Sequence, residues 1–144
     1  MTTNIQAFAE VCSLINAPIM NRKNCFSGWL AYQKAEDLAH AIFLLTCEFP
    51  KEEKYSLTDQ MRRSSRSVCS NLAVGHAKRA YSKHFYSKLT DSLGENNETL
   101  SWLHFARRCN YIDNSCYNKF AALNTEVGKL LNFMISNPKK FGAH

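Results

Sequence analysis

From Leu57 onward, apolar or small residues return at spacings of four, three, four, four and three: Leu57, Met61, Ser64, Val68, Leu72 and Gly75. Side chains at that interval lie on one face of an α-helix, and a single face that needs cover implies packing against other helices. The interval recurs through the chain, strand-like alternation is nowhere sustained, and only five glycines and three prolines interrupt 144 residues. These features predict an all-α protein.

The first amphipathic stretch covers residues 4–16, with Ile5, Phe8, Cys12 and Ile15 on one stripe and Pro18 beyond it. A longer helix is predicted over 28–48, carrying Tyr32, Ala35, Leu38, Ala39, Ile42 and Leu45 inward and ending at Phe49-Pro50, because proline disfavours helical backbone in the residue before it. Ser56, three residues ahead of Asp59, reads as a variant capping box for the helix that begins at Leu57. A break near 80–83, with Ser82 as N-cap, starts a helix to about Cys109 whose inward set is Phe85, Leu89, Leu93, Leu100, Leu103 and Ala106. A last helix over 115–135 places Phe120, Leu123, Val127, Leu130 and Met134 inward. Gly75, at a seam position, predicts a close approach by another backbone or a nearby helix end. Four long helices on short connectors predict an antiparallel up-down four-helix bundle with an extra N-terminal helix. The expected organisation is an extension over 1–25, a bundle domain over 26–137 and a loose tail over 138–144.

Charge is unevenly placed along these helices. Between Arg62 and Lys88 stand seven basic residues (Arg62, Arg63, Arg66, Lys78, Arg79, Lys83 and Lys88) and no Asp or Glu, whereas the remainder holds eleven basic and twelve acidic residues. The net +6 is thus a local excess, and a local excess without counter-charge predicts a polyanionic partner, RNA or DNA. Tyr81, beside the predicted break, is the aromatic residue best placed to stack on an unpaired base. A solvated charged face is the plainer reading of the same residues, and an acidic protein partner for an oligomeric scaffold is the competing one.

Several classes of chemistry lack their residues. No Cys-x-x-Cys, His-Glu-x-x-His, Glu-x-x-His, glycine-rich phosphate loop or nucleophile elbow occurs, so no enzyme activity, metal or cofactor is expected. Six widely spaced cysteines, several at apolar helical positions, fit buried free thiols in a reducing cytoplasm. No apolar run reaches the ~20 residues of a membrane span, and Glu10 interrupts any signal-like N-terminus.

The run from Leu57 to Arg79 resembles the signature of the bacterial four-helix bundle protein family, which includes proteins encoded in intervening sequences of large-subunit ribosomal RNA genes. That signature is approximately L-T-x-Q-x-R-R-[AS]-x-x-S-x-x-x-N-[IL]-A-E-G. Leu57, Thr58, Gln60, Arg62, Arg63, Ser64, Ser67, Asn71, Leu72, Ala73 and Gly75 match it. Val74 stands where the signature has Glu, which removes a carboxylate from the basic segment. The resemblance implies a short antiparallel bundle, a homopentameric ring, no catalysis, and kinship with accessory proteins of diversity-generating retroelements that bind nucleic acid and a reverse transcriptase. The expected function is therefore a cytoplasmic, nucleic-acid-binding accessory protein, with Arg62, Arg63, Arg66, Lys78, Arg79, Lys83, Lys88 and Tyr81 at the interface.

Overall fold

The computed structural model describes Asn24–His144 together with Ala9, so the helix expected over residues 4–16 lies, apart from Ala9, outside the described residues. Four α-helices follow one another: α1 (Leu30–Thr46), α2 (Leu57–Ala77), α3 (Ser82–Arg108) and α4 (Asn114–Ser136). Short 3-10 turns form at Phe26–Gly28, Lys51–Glu53 and Pro138–Phe141. Helix α1 packs on α2 and α4, α2 on α3, and α3 on α4, so neighbours in sequence are neighbours in space. Short connectors at 47–56, 78–81 and 109–113 reverse the chain each time, which makes the predicted up-down four-helix bundle. Gly75 fulfils its expectation: a Cβ there would stand 3.3 Å from Lys88 Cβ and 3.6 Å from the Phe85 ring, so α3 lies close against it.

The seam departs from hydropathy in the middle of the bundle. Along α3 the buried side chains are Phe85, Leu89, Ser92, Asn96, Thr99, Leu103 and Ala106, and along α4 they are Tyr117, Phe120, Asn124, Val127, Leu131 and Met134. Leu93, Leu100, Leu123 and Leu130, expected inward, are only half-buried. Each leucine is one residue out of phase with an unbroken three-and-four repeat; polar Ser92, Thr99 and Asn124 hold the positions beside Leu93, Leu100 and Leu123, and Leu131 the one beside Leu130. The polar residues can do so because they satisfy one another. Asn96 Nδ2 donates to the Asn124 carbonyl at 3.0 Å and Asn124 Nδ2 donates to the Asn96 carbonyl at 2.9 Å. Ser64 and Thr99 share a hydroxyl hydrogen bond at 2.8 Å, and Ser92 Oγ donates to the Val68 carbonyl at 2.7 Å. Gly128 leaves the room, since a Cβ there would lie 3.3 Å from Asn96 Nδ2.

At the end of the bundle where α2 begins, a carboxylate ties two connectors together. Ser56 is the N-cap residue, but its side chain makes no capping bond to the helix, contrary to the capping-box expectation. Instead Glu53 accepts from the Ser56 hydroxyl, from the Leu57 amide at 3.1 Å and from the Tyr111 hydroxyl at 2.9 Å. The Ser56 amide, which a capping box would give to Asp59, donates instead to the Glu53 carbonyl at 3.0 Å. Tyr111 reaches Glu53 because α3 ends in a left-handed Asn110, φ 59°, with the Tyr111 amide donating to the Ala106 carbonyl at 2.9 Å.

The opposite end corrects two further expectations. The N-cap of α3 is Tyr81, Ser82 is the first helical residue, and no side chain caps it. The tail over 138–144 is not loose. Phe141 packs edge-on against Trp29 and Phe133, and Ala143 is buried. The His144 amide donates to the Arg79 carbonyl at 3.4 Å. Gly142 permits the turn with φ 89°, where a Cβ would strike the Arg79 guanidinium at 2.8 Å. Ring burial on Trp29 outweighs the freedom that so short a tail otherwise retains. Cys47 and Cys109 are exposed rather than buried because they lie at helix ends, off the seam.

Replacing Asn96 or Asn124 singly with alanine leaves the partner's Nδ2 its backbone carbonyl but takes the donor from the partner's buried Oδ1, and should cost about 1–3 kcal/mol by urea unfolding. The double alanine variant should cost less than the sum of the two, whereas strict additivity would show that the pair does not act as a unit. Glu53 makes a second prediction. Its carboxyl is held below the usual glutamate range, chiefly by Ser56, then by the Leu57 amide and Tyr111. A group favoured as the anion in the fold stabilises above its unfolded value of about 4.3 and loses that contribution as pH falls through the lower folded value. Between about pH 6 and pH 3, the urea midpoint of the parent should therefore drop further than that of Glu53→Gln. Equal drops would remove Glu53 as a contributor.

Candidate nucleic-acid interface

The seven basic residues of the acid-free window do not form one surface, because consecutive helical positions differ by about 100° and the window crosses a turn. They fall into three groups. Arg62 and Arg66 lie one turn apart on α2 and face α1. The Arg62 guanidinium stands 4.7 Å from the centre of the Phe43 ring and that of Arg66 5.8 Å, while Arg62 Nε donates to Thr46 Oγ1 at 2.8 Å. Thr46 is oriented for this because its own hydroxyl donates to the Ile42 carbonyl at 2.8 Å. Neither arginine has a carboxylate partner among the described residues.

Arg63 points the other way, towards α3, and is neutralised there. Its Nη2 lies 2.6 Å from Glu98 and 3.3 Å from Glu95. Glu98 in turn accepts from Trp102 Nε1 at 3.2 Å. The pairing holds the Glu98 carboxyl below its ordinary range and raises the already high value of Arg63. Exposed pairs of this kind contribute about 0–1 kcal/mol, so the bond orients α2 on α3 more than it holds them together. The helical neighbour Asp59 is not the partner. Lys88 is likewise matched, by Asp91 at 2.9 Å. The acid-free window therefore loses two of its seven charges to carboxylates that lie just beyond it in sequence and adjacent in space.

Lys78, Arg79 and Lys83 form the third group, around the turn between α2 and α3. None has a carboxylate partner among the described residues; Arg79 Nε donates to the His76 carbonyl at 2.8 Å. The packed tail brings Lys139 and Lys140 to this same end, both exposed, with the Lys140 ammonium 5.0 Å from the Phe133 ring. The last acidic residue before the tail is Glu126, which is engaged by Lys34 at 3.4 Å. Tyr81 caps the turn at 67% exposure, with its ring edge-on to His84. The uncapped first turn of α3 adds free amide donors and the positive end of a long helix dipole. His76, set between Trp29, Phe26 and Arg79, has its pKa lowered, by burial first and by Arg79 second, which favours the neutral ring.

Sequence reasoning thus located Lys78, Arg79, Lys83 and Tyr81 at one end of the molecule but missed Lys139 and Lys140. The signal for them was the Phe141-Gly142 pair, an aromatic anchor followed by a residue that can turn left-handed. Among the described residues no cluster of three or more metal-ligating side chains occurs, and no helix is long and apolar enough to cross a membrane.

A comparison with curated proteins gives no match. Among solved structures, the chain is similar to a protein of unknown function from the S23 ribosomal protein family of Bacteroides thetaiotaomicron, a crystal structure at 1.70 Å resolution. The two share 27% identity and a TM-score of 0.68 over 75% of this chain and 96% of that one. The family model described as 23S rRNA-intervening sequence protein matches residues 29–133, the four helices and the connectors between them. With the signature on α2, the bundle architecture and this match in agreement, the chain belongs to the 23S rRNA-intervening sequence protein family.

Proposed function

We propose that the protein is a non-catalytic, cytoplasmic RNA-binding protein that holds phosphates at the end of the bundle where α2 meets α3. The observation that carries this reading is the meeting of Lys78, Arg79 and Lys83 with Lys139 and Lys140, all without carboxylate partners among the described residues. Arg79 is steadied by the His76 carbonyl and the tail, so it loses little freedom when a phosphate arrives. The amides of the first turn of α3 donate to further phosphate oxygens. Tyr81 offers an exposed ring to an unstacked base, which favours single-stranded or looped RNA over duplex. Contacts of this kind position the backbone without reading its sequence.

The reading extends to assembly. A homopentameric ring places five such ends on one particle and multiplies the number of phosphates engaged, and a reverse transcriptase is the protein partner that the family resemblance implies. Native mass measurement of the purified protein tests the ring, with a monomer mass excluding it.

Each phosphate contact on a single strand contributes about −0.7 to the slope of log affinity against log salt, so five give a slope near −3.5 per chain. Reversing Lys78, Arg79 and Lys83 to glutamate should flatten that slope to about −1.4 or less and weaken binding strongly at low salt. Affinity for single-stranded RNA that ignores salt, or that survives this triple reversal, would refute the proposal. A native preparation that retains an acidic protein, and no nuclease-sensitive material, would favour the scaffold reading instead.

A further inference from the structure

The groove between α1 and α2 is chemically unlike the basic end. It has a volume of about 440 Å³, lies open to solvent, and is walled by Tyr32, Glu36, His40 and Phe43 from α1 and by Arg66 and Cys69 from α2. That volume falls in the range of small-molecule sites and exceeds what a bare anion fills. At one end Arg66, in the groove wall, and Arg62, beside the wall, stand over the same Phe43 ring, two like charges a turn apart with no carboxylate to offset them among the described residues. Like charges at this spacing disfavour the helix, and an anion bridging them relieves the cost. Arg62 is also fixed by Thr46, so one half of the clamp is ordered in advance.

At the other end is a carboxylate. Glu36 is exposed and makes no ion pair among the described residues. It shares the groove wall with Cys69, a thiol pushed up to about 12 by burial first, with Glu36 and Asp37 adding to the effect. Glu36 and Phe43 are seven residues apart, about 10 Å along the helix. The His40 ring lies nearly parallel to Phe43, at 23° with centroids 6.3 Å apart, and supplies a flat flank between the charged ends.

A carboxylate beside a phosphate track repels it unless hydrogen-bond donors intervene. The ligand that suits this groove is therefore anionic at one end and rich in donors at the other. Among the bases, guanine alone offers two adjacent N–H donors on its Watson–Crick edge, a match for the two oxygens of one carboxylate. Adenine sets one donor, its 6-amino group, beside the acceptor N1, whose lone pair would be repelled by the second carboxylate oxygen.

We propose that the α1–α2 groove binds one unpaired guanylate unit, with its phosphate held by Arg62 and Arg66 and its base edge read by Glu36. The proposal deepens the RNA reading by giving the protein a base preference at a place separate from the basic end.

The test uses the full chain and isothermal titration with GMP, AMP and inosine monophosphate, then with short single-stranded oligonucleotides containing one guanine or none. GMP should bind about tenfold more tightly than AMP, with inosine monophosphate between them because it keeps only one of the two donors. Glu36→Gln should erase that order by weakening GMP and relieving the repulsion of AMP, and Arg66→Ala should weaken all three monophosphates alike. Unchanged thermal midpoints for both exposed-site variants keep the comparison free of folding effects. Equal affinities, or a preference that survives Glu36→Gln, would overturn the proposal. So would the lack of saturable binding by any monophosphate, the result expected if another segment fills the groove. Guanine-containing oligonucleotides binding no better than GMP would place the natural ligand among free nucleotides, overturning the RNA part. Reversal of Lys78, Arg79 and Lys83 should leave the GMP preference intact, so loss of salt-dependent RNA binding and loss of base preference are separable results.

Discussion

The reciprocal amide pair of Asn96 and Asn124 sets the register on which the rest of the bundle depends. Two buried carboxamides tolerate burial only when each finds the other, and they find each other at a single longitudinal offset of α3 against α4. A slide of one turn would strand both in an apolar layer. The seam therefore trades some apolar burial for uniqueness, a known use of polar core residues in helical assemblies. Ser64 with Thr99 and Ser92 with the Val68 carbonyl extend the same constraint to α2.

Once the offset is set, so is the distribution of charge. Arg63 meets Glu95 and Glu98 because α2 and α3 are aligned at that height, whereas Lys88 and Asp91 pair within α3, three residues apart, at any offset. What stays unneutralised is displaced to places where the register offers no acid: the α2–α3 turn with the docked tail, and the shelf over Phe43. The tail is as much a product of packing as the helices are. Phe141 on Trp29 draws Lys139 and Lys140 to the cationic end, and Gly142 makes the geometry possible. A docked tail thus turns a three-residue basic turn into a five-residue surface.

The two unneutralised regions suit different tasks. At the bundle end, cations and free amides present one sign of potential, which favours a flexible polyanion and tolerates any sequence. In the groove, a carboxylate on α1 and guanidinium groups on α2 stand at opposite ends, which suits a ligand of defined length and polarity.

The sequence by itself determined the all-α class, the number and order of the long helices, the inward set on α2, the break between α2 and α3, and family membership through the Leu57 to Arg79 run. These are legible because helical periodicity and turn chemistry are local, carried by residues within a few positions of one another. On α3 and α4 the seam was legible at Phe85, Leu89, Leu103, Ala106, Phe120, Val127 and Met134, but Leu93, Leu100, Leu123 and Leu130 fell one residue out of phase, because hydropathy assigns leucine inward and asparagine outward, and only a partner on another helix reverses that. Tertiary structure alone decided which of the seven basic residues remained free, since neutralisation of Arg63 spans more than thirty residues of sequence. It also decided that a seemingly loose tail joins the basic end. Charge in a sequence is a sum, and a binding surface depends on which charges the fold leaves without a neighbour.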